Sequence, residues 1–193
     1  SMKSIYYESQ IKKFNINENK ENRTLFVIGA INENYLNKNN PFLQFKFQKE
    51  VFNYLNAAKT KTIIKLPQIF QNIKYPILDY IDQKYNKIFL SKLKIFKAIN
   101  FYKPNVIILD RFSTTLYECL FYETEIIMFL DKKEIPYSDV LNILKKRVHV
   151  VYDINQFKLV YKMILQKKIS KLDKSFLKKF YLRKQSNNTK NFV

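Results

Sequence analysis

Asp110-Arg111-Phe112-Ser113-Thr114-Thr115-Leu116-Tyr117-Glu118-Cys119-Leu120 follows directly on the apolar run Val106-Ile107-Ile108-Leu109, and this junction decides the reading of the fold. Leu116, Cys119 and Leu120 recur at helical spacing, so a strand runs into a polar turn and the turn opens a helix. Ser113, Thr114 and Thr115 bring hydroxyls and backbone N–H groups to that helix start, where the helix dipole favours an anion. Phosphate is an anion that suits such a turn. Thr115-x-x-Glu118 also spells a capping box, in which the glutamate bonds back to a backbone N–H and takes no part in chemistry. Spacing alone leaves both readings open.

The same alternation of apolar runs and helical faces extends to either side. Strands are expected at Leu25 to Ile28, Thr62 to Leu66, Lys87 to Leu90, Val106 to Leu109, Ile126 to Leu130 and Val148 to Val151. Phe45, Val51, Phe52, Leu55 and Ala58 mark one face of the first long helix, and Phe157, Val160, Tyr161, Ile164 and Leu165 mark the last. Strands that are apolar throughout, rather than alternating, belong in a parallel sheet covered on both faces. The expected fold class is therefore α/β: a Rossmann-like, doubly wound, mostly parallel sheet of about six strands.

In such a sheet, ligands sit outside the carboxyl ends of the strands, near a switch in strand order. Asp110 to Thr115, Lys65-Leu66-Pro67-Gln68 and Asp131-Lys132-Lys133-Glu134 all lie at expected strand ends, so three loops can converge on one crevice. Ordinary loop solvation explains their polarity equally well.

Composition removes several classes of function. Gly29 is the only glycine among 193 residues, so neither a G-x-G-x-x-G fingerprint nor a Walker-type phosphate loop can be written. Phosphate must then be met by hydroxyls, a helix end and cations. Cys119 is the only cysteine and His149 the only histidine, which forbids an internal disulfide and disfavours a structural zinc cluster. No metal and no separate cofactor are expected. No apolar run approaches the roughly 18 residues of a membrane span, and the start lacks the apolar core of a signal peptide, so a cytoplasmic protein is expected.

The formal charge of +19 invites a polyanionic partner. The lysines, however, are scattered along the whole chain, as in an AT-rich coding sequence, and arginine occurs only at Arg23, Arg111, Arg147 and Arg183. No nucleic-acid motif is present, so no specific nucleic-acid partner is expected. Peripheral contact with an anionic inner-membrane face remains an expectation from charge alone.

Three regions are expected: a polar lead-in over 1–23, a Rossmann-like domain over 24–168, and a basic helical tail with a frayed end over 169–193. Ser1-Met2 reads as a cloning scar and the lead-in as a remnant of something upstream. His149, inside an apolar strand, reads as a packed or edge histidine, and Cys119 as core rather than nucleophile. No catalytic base can be named.

Pro104 to Leu120, followed by Glu125-Ile126-Ile127-Met128-Phe129-Leu130-Asp131, resembles the donor half of bacterial GT-B transferases that build surface polysaccharides. The family pattern is a strand ending in Asp, an aromatic, a Ser/Thr run, a glutamate on the helix, and a further strand leading to Phe-x-Asp. Uncharacterised transferases of polysaccharide loci are closest, and teichoic-acid glycerophosphotransferases are more distant. The resemblance covers residues 24–166, with Lys61 to Pro67 similar to the family's basic strand.

The resemblance implies that the chain is one half of a GT-B architecture, whose acceptor site and base usually lie on the other half. It implies that Ser113 and Thr114 hold the phosphate of a nucleotide-activated sugar or polyol donor, and that Thr115 caps the helix or assists. Glu118 would accept hydrogen bonds from ribose hydroxyls, Lys65 would charge-stabilise the leaving phosphate, and Asp110 and Arg111 would stand behind them. The acceptor would be a glycan or a lipid-linked glycan. Residue chemistry alone also allows Lys65 to reach solvent and Asp110 to bond backbone N–H groups of the next turn. The chain departs from the pattern at Leu66-Pro67-Gln68, where the family often carries His-Pro, and at Glu125, where it usually carries Pro.

Two other classes stay open. A non-catalytic α/β module could use the same crevice for a nucleotide or partner. A basic nucleic-acid or membrane-surface protein is favoured by charge only.

Overall fold

The computed structural model describes residues 23–29, 41–58, 60–66, 76–84, 89–91, 93–132, 138–173 and 176. In chain order the elements are β1 (Arg23–Val27), α1 (Pro41–Ala57), β2 (Lys61–Lys65), α2 (Pro76–Lys84), β3 (Phe89–Ser91) and α3 (Ile95–Tyr102). They continue as β4 (Val106–Leu109), α4 (Thr114–Cys119), β5 (Glu125–Phe129), α5 (Ser138–Leu144), β6 (His149–Val151) and α6 (Ile154–Leu165).

The six strands form one sheet in the order β3-β2-β1-β4-β5-β6, and every pairing is parallel. This is the doubly wound arrangement that the alternation of strands and helices implies, with the switch in strand order between β1 and β4. Strand ends move by a residue or two from the sequence reading. Ile28 and Leu130 close their strands with hydrogen bonds to the carbonyls of Lys65 and Val151, both at 3.0 Å. Lys87 and Ile88 of the expected third strand lie outside the described residues, and β3 instead includes Ser91.

Two apolar layers sandwich the sheet. Phe26, Ile64, Val106, Ile108, Ile127 and Val151 point to one face, which α1, α2 and α6 cover. Leu25, Ile63, Ile107, Leu109, Ile126 and Met128 point to the other, which α3, α4 and α5 cover. Period-two alternation along each strand thus fills both layers from one run of apolar residues. Phe47 stacks on Phe129 with ring centroids 4.0 Å apart and meets the edge of Phe157 at 5.9 Å, so aromatic packing joins α1 to β5 and α6.

The buried face of α1 differs from the expected one. It runs through Gln44, Phe47, Gln48, Val51, Phe52 and Leu55, while Phe45 is half-buried and Ala58 exposed. Two glutamines stand where an apolar stripe would continue. On α6, Phe157, Tyr161 and Ile164 are buried and Leu165 is exposed. Asp153 caps that helix by accepting the backbone N–H of Gln156 at 2.8 Å.

At the amino ends of β5 and β6, Glu125 faces His149, with oxygen and Nε2 3.0 Å apart. The same carboxylate accepts the Ser170 hydroxyl and the Lys171 backbone N–H, and Lys171 Nζ donates to the Val148 carbonyl at 3.0 Å. The chain after α6 is thereby tied beneath the sheet, and Phe176 is buried in the second apolar layer. Residues 1–22, and those after 173 other than Phe176, lie outside the described residues. No helix among the described residues is long and apolar enough to cross a membrane.

Candidate functional site

Because all strands are parallel, their carboxyl ends share one edge of the sheet. Lys65 ends β2, Gly29 lies two residues past β1, and Asp110 follows β4. Lys65 and Asp110 are therefore separated by the single strand β1, about 10 Å at ordinary strand spacing. Asp131 and Lys132, past β5, lie one strand further over, while Pro67, Gln68, Lys133 and Glu134 lie outside the described residues.

Asp110 is 3% exposed and is the hub of the switch point. Both of its oxygens lie 2.9 Å from the backbone nitrogen of Gly29, which donates to them. The side-chain amides of Gln44 and Gln48 donate to Oδ2 from α1, the first at 2.8 Å. Asp110 does bond a backbone N–H, but the partner belongs to the loop after β1 and not to the turn that follows Asp110. A buried carboxylate with several donors is well satisfied.

Arg111 completes this cluster. Its Nε is 3.8 Å from Asp110 Oδ1, and its terminal nitrogen donates to Gln44 Oε1. The guanidinium lies where a side chain on residue 29 would be: a Cβ built on Gly29 would come within 2.2 Å of Arg111 Nε. Space, rather than a positive backbone angle, is what favours glycine at this position. Gln44 and Gln48 escaped the sequence reading, although polar residues four apart in phase with Val51, Phe52 and Leu55 are the signal that could have found them.

The second group of residues lies at the β2 end. Lys65 is 4% exposed, and in register its neighbours are Val27 on β1 and Ser91 on β3. Its ammonium donates to the backbone carbonyl of Leu66, and among the described residues no carboxylate lies within ion-pair distance. The alternative of a lysine reaching solvent is overturned. Burial pushes the Lys65 ammonium below its ordinary value, and the Glu118 carboxylate acts in the opposite direction. Burial pushes the Glu118 carboxyl up, while Lys65 and Lys94 pull it down. Glu118 as a residue is exposed, yet its carboxyl is partly desolvated.

Lys65 and Glu118 are near enough to act on each other electrostatically, and Lys94, just ahead of α3, acts on Glu118 as well. Nothing in the sequence around Lys94 marks it. It enters because the crossover from β3 to β4 starts α3 beside the β2 end.

Ser113 is the residue before α4, in extended backbone, and its side chain makes no capping bond. The helix starts at Thr114, so Thr115 is its second residue and not its cap, and the Thr115/Glu118 capping box does not form. The reason lies one turn earlier: Leu116 N bonds the Ser113 carbonyl at 3.0 Å, which fixes the helix start ahead of Thr115. Ser113 and Thr115 are half-buried and Thr114 exposed, and among the described residues their hydroxyls have no hydrogen-bond partner. Those hydroxyls are available to a ligand.

Cys119 is fully buried, and burial pushes its thiol well above the ordinary range, so it is a core residue rather than a nucleophile. His149 is 5% exposed and committed to Glu125 at the opposite end of the sheet. Among the described residues, no three His, Cys, Asp or Glu side chains come together as metal ligands do. No protein family, curated protein or solved structure matches the chain.

Proposed function

We propose that this chain is the donor-binding domain of a GT-B-like transferase of surface-polysaccharide synthesis. It takes a nucleotide-activated sugar or polyol, for transfer to a glycan or lipid-linked acceptor at the inner membrane face. One observation carries the reading: Lys65 is buried at the carboxyl end of a parallel strand with no carboxylate in ion-pair contact among the described residues. Burial disfavours an ammonium there, and a bound anion relieves that cost. A donor phosphate is such an anion.

In this reading Lys65 and Lys94 meet the phosphate, the hydroxyls of Ser113, Thr114 and Thr115 donate to its oxygens, and Glu118 accepts from ribose hydroxyls. Asp110 and Arg111 hold the ends of β1 and β4 in place behind them. Catalysis then rests on cations preorganised where negative charge develops on the leaving phosphate. The charge of +19 accords with work beside an anionic membrane.

A second reading, a module that binds the nucleotide without turning it over, is favoured by the position of His149. The only imidazole in the chain is tied to Glu125, away from the carboxyl ends of the strands.

Thermal-shift and calorimetric titration with uridine, cytidine, guanosine and adenosine diphosphates tests the site. At least one is expected to bind and raise the melting temperature. The Ser113→Ala/Thr114→Ala double variant is expected to weaken it about tenfold with the fold intact, and Glu118→Gln to weaken it without loss of stability, since no capping box depends on Glu118. Absence of binding by all four at millimolar concentration, or binding indifferent to both variants, overturns the reading.

A further inference from the structure

We propose that the β2 end binds its phosphate ligand together with a proton, and that Lys65 is the group that receives it. The inference rests on the reading of that end as a phosphate site, and adds how the site is regulated.

The geometry leaves Lys65 in an unusual position. Its neighbours in register, Val27 and Ser91, carry no charge, and its one hydrogen bond among the described residues goes to the adjoining Leu66 carbonyl. Among the described residues, Glu118 of α4 brings charge towards it, and Lys94 ahead of α3 acts in turn on Glu118. At the β4 end, Asp110 and Arg111 are engaged with Gly29, Gln44 and each other. The ammonium is thus desolvated while, among the described residues, only the exposed Glu118 offers it a countercharge. Burial accordingly loosens its proton in the empty protein.

An arriving phosphate reverses that balance, because an opposite charge a few ångströms away favours the ammonium. Linkage is reciprocal: if the phosphate tightens the proton on Lys65, the proton tightens the phosphate by the same factor. The sign follows from the direction of the shift. Affinity is greatest where Lys65 is already charged in the empty site, below its lowered value. It falls as pH rises from there towards the value Lys65 holds with phosphate bound. The steepest loss is about tenfold per pH unit, one proton taken up per ligand. The second proton of the phosphate itself leaves near pH 6, so the measurement runs from pH 7 upward, and the Lys65→Arg variant separates Lys65 from Glu118 and Lys94.

The experiment uses the tightest binder among the four nucleoside diphosphates. Its dissociation constant is measured from pH 7 to 8.5 on the unaltered protein and on Lys65→Arg. Calorimetry of the unaltered protein in two buffers of unlike ionisation enthalpy counts the protons directly. The expected result is an affinity that falls with rising pH, net proton uptake on binding, and a flat profile for Lys65→Arg, whose guanidinium keeps its charge throughout. Binding with no proton uptake and a flat profile in the unaltered protein overturns this inference and leaves the phosphate site standing. A Lys65→Arg profile as steep as that of the unaltered protein gives the proton to another group and also overturns it. Should Lys65→Arg fail to fold, the two-buffer count decides alone. Failure of all four nucleotides to bind at pH 7 removes the site itself, and this inference with it.

Discussion

Both carboxylate oxygens of Asp110 lie 2.9 Å from the backbone nitrogen of Gly29, so the ends of β4 and β1 are joined across the switch point by a side chain rather than by the sheet ladder. Gln44 and Gln48 extend the join to α1. Asp110→Ala strands the Gly29 N–H and two glutamine amides. It is expected to cost about 3 kcal/mol, a fall in melting temperature of about 6–12 °C for a chain of this size. Asp110→Asn is expected to cost about 1 kcal/mol, because Gln48 can rotate its amide and offer Oε1, which has no partner among the described residues. Denaturant unfolding of both variants checks the order. Equal losses would mean that the charge, rather than the hydrogen bonds, carries the join.

Gly29 and Arg111 are predicted to be coupled. An added methyl at residue 29 collides with the guanidinium rather than with backbone, so Gly29→Ala pushes Arg111 away from Gln44 and costs about 1 kcal/mol. In an Arg111→Ala background the same substitution is expected to be close to neutral. A double-mutant cycle measures the difference, and additive losses would rule out the collision as the cause.

Lys65→Met is predicted to stabilise the protein while abolishing phosphate binding. The methionine fills similar space without a desolvated ammonium, a gain of about 1–2 kcal/mol and a rise in melting temperature of about 2–8 °C. The pH dependence gives the sign: the cost of the buried charge is fully present below the lowered value of Lys65 and is relieved as pH rises towards its ordinary 10.5. The advantage of the methionine variant should shrink over that window. Destabilisation by Lys65→Met at neutral pH would show that the amine is structural.

Glu125 predicts an acid limb of stability. Burial pushes its carboxyl up, but hydrogen bonds from His149, Ser170 and the Lys171 backbone outweigh that and hold it below the ordinary 4.5. Its contribution is therefore complete above that ordinary value and is lost as pH falls through the lowered one. Glu125→Gln should cost about 2 kcal/mol at pH 7, and the two melting curves should converge towards pH 3. Parallel curves over that range would assign the acid sensitivity elsewhere.

Strand identity, helix order and the two covered faces were legible in the sequence because they follow from period: continuous apolar runs such as Val106 to Leu109 can be buried only in a parallel sheet with helices on both sides. The strand end at Asp110 and the helix start beside Ser113 were legible for the same local reason. Lys65 and Glu118 enter as candidates through the family resemblance rather than through period.

What the sequence could not supply was contact between positions far apart in the chain. Gln44 and Gln48 reach Asp110 from 66 and 62 residues away, and Lys94 meets Glu118 only through the crossover from β3 to β4. The capping box also read well locally and failed. The backbone bond from Leu116 N to the Ser113 carbonyl starts the helix before Thr115 can cap it. Sequence determined which residues are apolar, in what rhythm, and where turns interrupt them. The tertiary structure decided which polar groups are buried together, because desolvation and countercharge depend on neighbours that only the packed sheet brings within a few ångströms.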